Sequence, residues 1–260
     1  MADRVVTTVE GAVAHVRLTR PDKMNALDPA MFEAIGAAID ALAERIDVRA
    51  VVLSGEGRAF CAGLDMASMA GGGSGLSRND RNAQGAILPQ HVTWGWRNLP
   101  MPVIVAVHGV AFGGGFQIMS GADIRIAEPD SRFAIREVHW GLVPDMAGFP
   151  IWRGLVRDDV LRELVFTARE FEAEEALRHG FVTRLADDPL TEALALAREI
   201  AGRSPHAVRG AKRLLNMAHD ADPLAMLQAE TDEQVKVIGQ PNMMEAVAAN
   251  MQKRVAVFAD

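Results

Sequence analysis

A chain of 260 residues that is 49% hydrophobic and 23% charged has ordinary globular composition, with enough apolar residues for a sizeable core. Its formal net charge is −7 and its longest basic clusters are the pairs Lys212-Arg213 and Lys253-Arg254, so it lacks the basic stripe of a nucleic-acid binder. Cys61 is the single cysteine, which excludes an intramolecular disulfide, and no run reaches the roughly 18 apolar residues of a membrane span.

Met1 to Glu10 is charged early and strand-like, without the apolar core of a signal peptide, and a soluble cytoplasmic protein is expected. Val5 to Thr8 and Ala12 to Leu18 are rich in β-branched residues around Glu10-Gly11 and predict a hairpin. Asp28-Pro29 opens a helix with Met31, Ile35, Ile39 and Leu42 at helical spacing. Ala50 to Leu53 reads as a buried strand. Met66 to Ser77, with its glycine-rich stretch, reads as a flexible loop, and Met66, Met69 and Leu76 as a mobile wall beside a site. A helix is expected over Asn79 to Arg97. Val103 to Val107 is a second buried strand, followed by Gly113-Gly114-Gly115 and a helix to Ser120. Asp123 to Ala127 and Arg132 to Ile135 predict two short strands. From Met146 the pattern turns helical: Asp158 to Thr167, Glu172 to His179, Leu190 to Gly202, His206 to His219, Pro223 to Ile238 and Asn242 to Phe258, with Pro205, Pro223 and Pro241 as punctuation.

The chemistry concentrates in two turns. Val103 to Gln117 runs a buried strand into a glycine triplet that opens a helix, whose first N–H groups are unpaired and can receive an oxyanion or phosphate. The triplet completes neither G-x-G-x-x-G, because Ile118 holds the last position, nor a P-loop. A tight packing turn is the plain alternative. Gly57 to Asp65 follows the first buried strand, and Gly63-Leu64-Asp65 can present an N–H outward, with Asp65 as a helix cap. Two such turns after two strands can aim two donors at one point, the arrangement of an oxyanion hole.

Three segments, Arg20 to Leu27, Ala59 to Asp65 and His108 to Gln117, resemble the signature segments of the crotonase (enoyl-CoA hydratase/isomerase) family. Phe133 to Glu137 with Gly141 to Asp145 resembles its catalytic acid segment. The order and spacing agree over essentially the whole chain. The resemblance implies an α/β fold, a crotonase-like spiral of ββα turns with a helical C-terminal trimerisation region. Residues 1–200 would form the core with the active site and 201–260 the oligomerisation region, in trimers or dimers of trimers. It implies an acyl-CoA substrate with its thioester oxygen between the N–H groups of Leu64 and Gly114, and CoA contacts from Arg20, Lys23, Ala26, Ala62, Asp65 and Lys253. Arg20 and Lys23 are expected as exposed charges facing phosphates. No metal and no separate cofactor are expected, coenzyme A being part of the substrate, and neither a nucleic acid nor a membrane is expected as a partner.

The resemblance also sorts the reactions. Its hydratases carry two glutamates; Glu137 fills the second position, but Gln117 stands at the first, and a carboxamide cannot move a proton at neutral pH. Glu137 alone matches the acid/base of 3-enoyl isomerases. Glu137 with Asp145 resembles the dienoyl-CoA isomerases, where two carboxylates serve opposite ends of a diene. Asp145 could instead cap a helix near Met146, and Glu137 could pair with Arg132 or Arg136. The expectation is a double-bond isomerase with Glu137 as acid/base. The alternatives are a hydratase in which Gln117 orients water, with Gln117→Glu gaining that activity, and a non-catalytic acyl-CoA scaffold. His108, His139 and Trp140 are read as packing or pocket lining.

Overall fold

Among the described residues, which in this computed structural model are 3–69 and 79–260, the chain forms nine strands and eleven α-helices. The strands are β1 (Val5–Glu10), β2 (Val13–Leu18), β3 (Ala50–Gly55), β4 (Val103–Val107), β5 (Val110–Phe112), β6 (Ile124–Ala127), β7 (Arg132–Ala134), β8 (Phe171–Glu172) and β9 (Arg184–Leu185). The helices are α1 (Pro29–Ala43), α2 (Met66–Met69), α3 (Leu88–Asn98), α4 (Gly114–Ser120), α5 (Gly148–Trp152) and α6 (Asp158–Thr167). They continue with α7 (Ala173–His179), α8 (Pro189–Ala201), α9 (Pro205–Met217), α10 (Pro223–Val237) and α11 (Pro241–Gln252).

The main sheet has the order β1-β2-β3-β4-β6-β9. β1 and β2 pair antiparallel, as the hairpin pattern predicts, and every later pair is parallel. Val51, Val52, Leu53, Ile104 and Val105 are wholly buried, because a parallel sheet is covered on both faces and its strands must be apolar throughout. One face packs on α1, α3 and α4 through residues such as Met31, Ile35, Trp96 and Phe116. The other packs on α8 through Ala193, Ala197 and Ala201, whose four-residue spacing puts small side chains on one face and lets the helix approach closely.

β5, β7 and β8 form a second, smaller sheet. The chain therefore leaves the main sheet at the end of β4, adds β5 to the small sheet and returns through α4; β6 and β7 repeat the step. This is the ββα spiral. Under α4 the rings of Phe116, Phe133, Phe171, Phe181 and Trp152 pack with centroids 5.1–6.0 Å apart, and Trp152 Nε1 donates to Ser120 Oγ at 2.9 Å. Aromatic packing of this kind fixes the helix rigidly to both sheets.

Several elements differ from expectation. The helix expected over Asn79 to Arg97 starts only at Leu88. Before it, Asn82 Oδ1 accepts from the backbone N–H groups of Gln84 and Ala86 and holds a turn in which Gly85 has φ +80°. α11 stops at Gln252, where Lys253 takes a left-handed conformation (φ 53°), rather than running on to Phe258. Met66–Met69 is helical where a loop was expected; the Met69 side chain and the rest of that stretch, including Leu76, lie outside the described residues. β5, β8, β9 and α5, at two to five residues each, were too short to leave a periodic signal. No helix among the described residues is long and apolar enough to cross a membrane.

α9 is pinned to the sheet by one buried cation. Lys212 Nζ donates to Asp123 Oδ2 at 2.7 Å, to Met101 O at 2.9 Å and to Trp96 O at 3.3 Å, while Asp123 Oδ2 also accepts from the Val103 N–H at 2.7 Å. Removing the ammonium strands a carboxylate and two carbonyls. Lys212→Ala should lower unfolding free energy by about 3–5 kcal/mol in urea titration; a loss below about 1 kcal/mol would mean that the pair does not anchor α9.

Candidate active site

The two glycine turns meet at one end of the main sheet, joined by the isolated bridge between Cys61 and Ala111. In the first, Leu27 pairs in parallel fashion with Leu64: the Leu27 N–H donates to Gly63 O at 2.8 Å and Leu27 O accepts from the Asp65 N–H at 3.0 Å. This bridge uses the residues flanking Leu64, so the N–H of Leu64 points to the opposite side and has no acceptor among the described residues. In the second turn, Phe112 N–H donates to Cys61 O at 3.1 Å and Gly113 N–H to Ala134 O at 2.9 Å, while Gly114, first in α4, donates to no described acceptor. A Cβ on Gly63 would lie 2.5 Å from Phe112 O and 3.6 Å from Gly114 N, so the two free amides are close neighbours only because residue 63 is glycine. Gly113 has φ 50° and ψ −118°, a conformation that also needs glycine and that turns the next N–H away from the small sheet.

Asn25 holds this arrangement in register. It is wholly buried in a left-handed conformation (φ 54°) that Asn tolerates well. Its Nδ2 lies within 2.9–3.1 Å of Glu56 O, Ala59 O and Phe60 O, and its Oδ1 accepts from the Arg20 N–H at 2.8 Å. The loop carrying Leu27 is thereby tied to the loop carrying Leu64. Asn25 was not singled out in the sequence, because nothing in a local pattern reveals a side chain that serves carbonyls more than thirty residues away.

Both amides border a cavity of about 400 Å³ whose wall also includes Met24, Phe32, Met66, Glu137, Asp145 and Met146. Glu137 sits beside the second turn: a Cβ on Gly113 would be 3.5 Å from Glu137 Oε1. Arg132 and Arg136 both pair with Glu170, not with Glu137. Glu137 Oε1 instead accepts from Gln117 Nε2 at 2.6 Å, and Oε2 is buried with no partner among the described residues. Burial pushes the Glu137 carboxyl above the usual carboxylate range; its own backbone N–H and the Gln117 amide pull against this, and the Asp145 charge pushes the same way as burial.

Gln117 is wholly buried and lies behind Glu137, outside the cavity wall. Its Oε1 accepts from the N–H groups of Met146 at 3.0 Å and Gly148 at 3.1 Å, which fixes the amide so that Nε2 faces the glutamate. Asp145 borders the cavity, and the following helix begins at Gly148 with Ala147, in a left-handed conformation, at its N-cap position.

The residues expected at CoA are dispersed. Ala62 lines the cavity, Ala26 is buried next to Leu27, and Lys23 and Lys253 are exposed. Arg20 is not the exposed charge expected: its Nη1 donates to Asp65 Oδ2 at 2.7 Å and Ala26 O at 3.0 Å, and its Nη2 lies 3.6 Å from Asp28 Oδ2. Two inward carboxylates, Asp65 and Asp28, capture it. Asp65 Oδ1 also accepts from the Ala67 N–H at 3.1 Å, the helix-start contact expected of it, and its carboxyl is held below the ordinary range mainly by the Arg20 hydrogen bond. Among the described residues no group of three His, Cys, Asp or Glu side chains could hold a metal ion.

Chemically, two free amides beside a half-buried carboxylate in a largely apolar cavity suit a reaction that develops negative charge on a carbonyl oxygen while a proton moves nearby. The profile of the Enoyl-CoA hydratase/isomerase family matches residues 8–260. The mitochondrial Delta(3,5)-Delta(2,4)-dienoyl-CoA isomerase of Mus musculus is 32% identical over 96% of this chain and 79% of its own length. The Short-chain-enoyl-CoA hydratase of Clostridium acetobutylicum is 31% identical over 97% of this chain and 96% of its own. Among solved structures, a putative enoyl-CoA hydratase from Streptomyces coelicolor A3(2) superimposes with a TM-score of 0.90 at 30% identity, covering 98% of this chain and 94% of that one. The signature segments, the spiral fold and these relatives agree: the chain belongs to the enoyl-CoA hydratase/isomerase family, and it is an enzyme of the crotonase fold.

Proposed function

We propose that the protein isomerises 3,5-dienoyl-CoA to 2,4-dienoyl-CoA, with the thioester oxygen held by the N–H groups of Leu64 and Gly114. The single observation that carries this reading is the pair of carboxylates, Glu137 and Asp145, bordering the same cavity as the two amides. Glu137 stands beside the turn that carries Gly114, next to where C2 of a bound thioester would lie. It takes the C2 proton, the electron pair moves onto the thioester oxygen, and the dienolate is stabilised by the two N–H donors, each worth about 3–4 kcal/mol in such sites. Asp145 supplies a proton at C6, the conjugated 2,4-diene forms, and the two carboxyls have exchanged protonation states. The mouse relative bears the name of this reaction.

Hydration is less well supported. Both lone-pair directions of Gln117 Oε1 are filled by backbone donors, and the amide lies behind Glu137. It acts as a positioning residue that leaves Oε2 of Glu137 for the substrate, rather than as an orienter of water. The gain of hydratase activity expected for Gln117→Glu is replaced by a different outcome: the new carboxyl would lie against Glu137 and share a proton with it.

In this reading CoA reaches the cavity past exposed Lys23, with Lys253 serving a neighbouring subunit. We also propose a homo-oligomer, a trimer or a dimer of trimers. Leu224, Leu227, Val235, Met251, Val255 and Val257 are each at least 62% exposed on the C-terminal region, a density of apolar side chains that favours burial against another copy.

Following ultraviolet absorbance with 3,5-dienoyl-CoA, Glu137→Gln should lose activity by about 10³-fold. Asp145→Asn should lose isomerisation to a similar degree yet still exchange the C2 proton with deuterated water. Near wild-type isomerisation by either variant contradicts the two-carboxylate reading, and disappearance of the enoyl band of a 2-enoyl-CoA would favour hydration.

Gln117→Leu should lower kcat by on the order of tenfold with little change in KM, the loss of one hydrogen bond to a charged group. It should also move the acid limb of kcat/KM to higher pH, because a donor that stabilises the Glu137 carboxylate is gone. An unmoved limb would mean that Gln117 does not position Glu137.

Glu137 has a stability signature as well. Its folded-state pKa is raised, so the folded protein holds a proton that the unfolded chain has already released, and its contribution to stability falls as pH rises from the usual carboxylate range through the raised value. Glu137→Gln should therefore melt higher than wild type at pH 8, with the difference shrinking toward pH 4. A variant that melts lower at pH 8 would contradict the assigned direction.

A further inference from the structure

The direction of the Leu64 N–H is set from a distance. Its peptide carries Gly63 O at the other end, and that oxygen accepts from the Leu27 N–H at 2.8 Å, so the plane of the peptide follows the position of Leu27. Arg20 grips both segments of this bridge with one nitrogen. Nη1 carries two hydrogens: one goes to Ala26 O at 3.0 Å, next to Leu27, and the other to Asp65 Oδ2 at 2.7 Å, next to Leu64. The Arg20 main chain is tied down as well, its N–H donating to Asn25 Oδ1 at 2.8 Å and its carbonyl accepting from the Asn25 N–H at 2.9 Å. Asp28, 3.6 Å from Nη2, already has Arg4 as a closer partner at 2.7 Å, which leaves Asp65 as the main charged partner of Arg20.

We infer that Arg20 is a positioning residue for the Leu64 donor and not a contact for CoA phosphates, an assignment that rests on the reading of the Leu64 and Gly114 amides as thioester-oxygen donors. Two effects follow from the geometry. The clamp between Ala26 and Asp65 holds the bridge closed, which keeps the Leu64 N–H aimed into the cavity before substrate arrives. The guanidinium also cancels the charge of Asp65. A carboxylate one residue from the donor would, if unpaired, repel the negative charge that develops on the thioester oxygen. Neither Arg20 nor Asp65 borders the cavity, and both side chains are only 13% exposed, so Arg20 acts through Leu64 and has its hydrogen-bonding nitrogen committed to the protein. A lysine could not reproduce this contact, since the fork of Arg20 reaches Asp28 and Asp65 at once.

Difference infrared spectroscopy of hexanoyl-CoA labelled with carbon-13 at the thioester carbonyl reads the donors without turnover, because this saturated probe cannot isomerise. Bound to wild type, its carbonyl band should move to lower wavenumber than in water. Arg20→Ala should lose about half of that shift, one of two donors having been misdirected. With 3,5-octadienoyl-CoA the variant should lose kcat by on the order of tenfold to a hundredfold, with KM changed by less than about threefold. The same substrate as its N-acetylcysteamine thioester, which has no phosphates, should show a loss of kcat/KM by the same factor. Should Arg20→Ala fail to fold by circular dichroism, Arg20→Gln, which keeps a single donor group and drops the charge, is read against the same outcomes. A loss confined to KM and absent with the phosphate-free thioester makes Arg20 a CoA contact and overturns the assignment, as does a variant that keeps the full carbonyl shift. No carbonyl shift in the wild type overturns the two-amide reading itself and this assignment with it, an outcome distinct from a wild-type shift that the variant retains.

Discussion

The proposed chemistry depends on two peptide N–H groups, those of Leu64 and Gly114, left without partners among the described residues by the way the chain leaves two adjacent parallel strands. In a sheet every backbone donor is satisfied by its neighbour; at the strand ends the ladder stops. Here the neighbouring groups are engaged: the Leu27 N–H donates to Gly63 O and Leu27 O accepts from the Asp65 N–H, while Cys61 O accepts from the Phe112 N–H and Ala134 O from the Gly113 N–H. The N–H groups of Leu64 and Gly114, which have no acceptor among the described residues, are brought together because Gly63 carries no side chain where the second turn passes. Such donors need no reorganisation when charge develops on a carbonyl oxygen, and the proposed mechanism draws on that property.

The proposed acid/base groups come from different segments and border or lie behind the same cavity. The turn after β7 carries Glu137, α4 carries Gln117, the loop before α5 carries Asp145, and the N–H groups of Met146 and Gly148 at that loop's end lock Gln117. A single amide thus links three segments. Its effect opposes burial: burial raises the Glu137 pKa, whereas the hydrogen bond from Gln117 favours the carboxylate and lowers it. The stability lost by holding a partly desolvated carboxyl with one unpartnered oxygen is the kind of local cost that active sites carry and the rest of the fold offsets. The aromatic cluster beneath α4 and the Lys212–Asp123 anchor belong to that remainder.

The buried strands were legible because Ala50 to Leu53 and Val103 to Val107 are unbroken apolar runs, and α1 because Asp28-Pro29 and a helical stripe mark its start and its face. The donors at Leu64 and Gly114 were legible only through ordered motifs, since a backbone N–H leaves no residue-type signal. What stayed hidden was pairing over distance. Arg20 reads as a solvated charge until Asp65 and Asp28 are placed around it. Gln117 reads as a water ligand until Met146 and Gly148 fold over it, and Asn25 reads as an ordinary loop residue. Short strands such as β8 and β9 exist only because a neighbouring strand offers them partners.

The most direct measurement of the central claim is a crystal structure with a saturated acyl-CoA, which binds but cannot isomerise. The account predicts a thioester oxygen at roughly 2.7–3.1 Å from both Leu64 N and Gly114 N, with Glu137 Oε2 facing C2. A thioester bound elsewhere, or either amide donating to another protein acceptor in that complex, would contradict it.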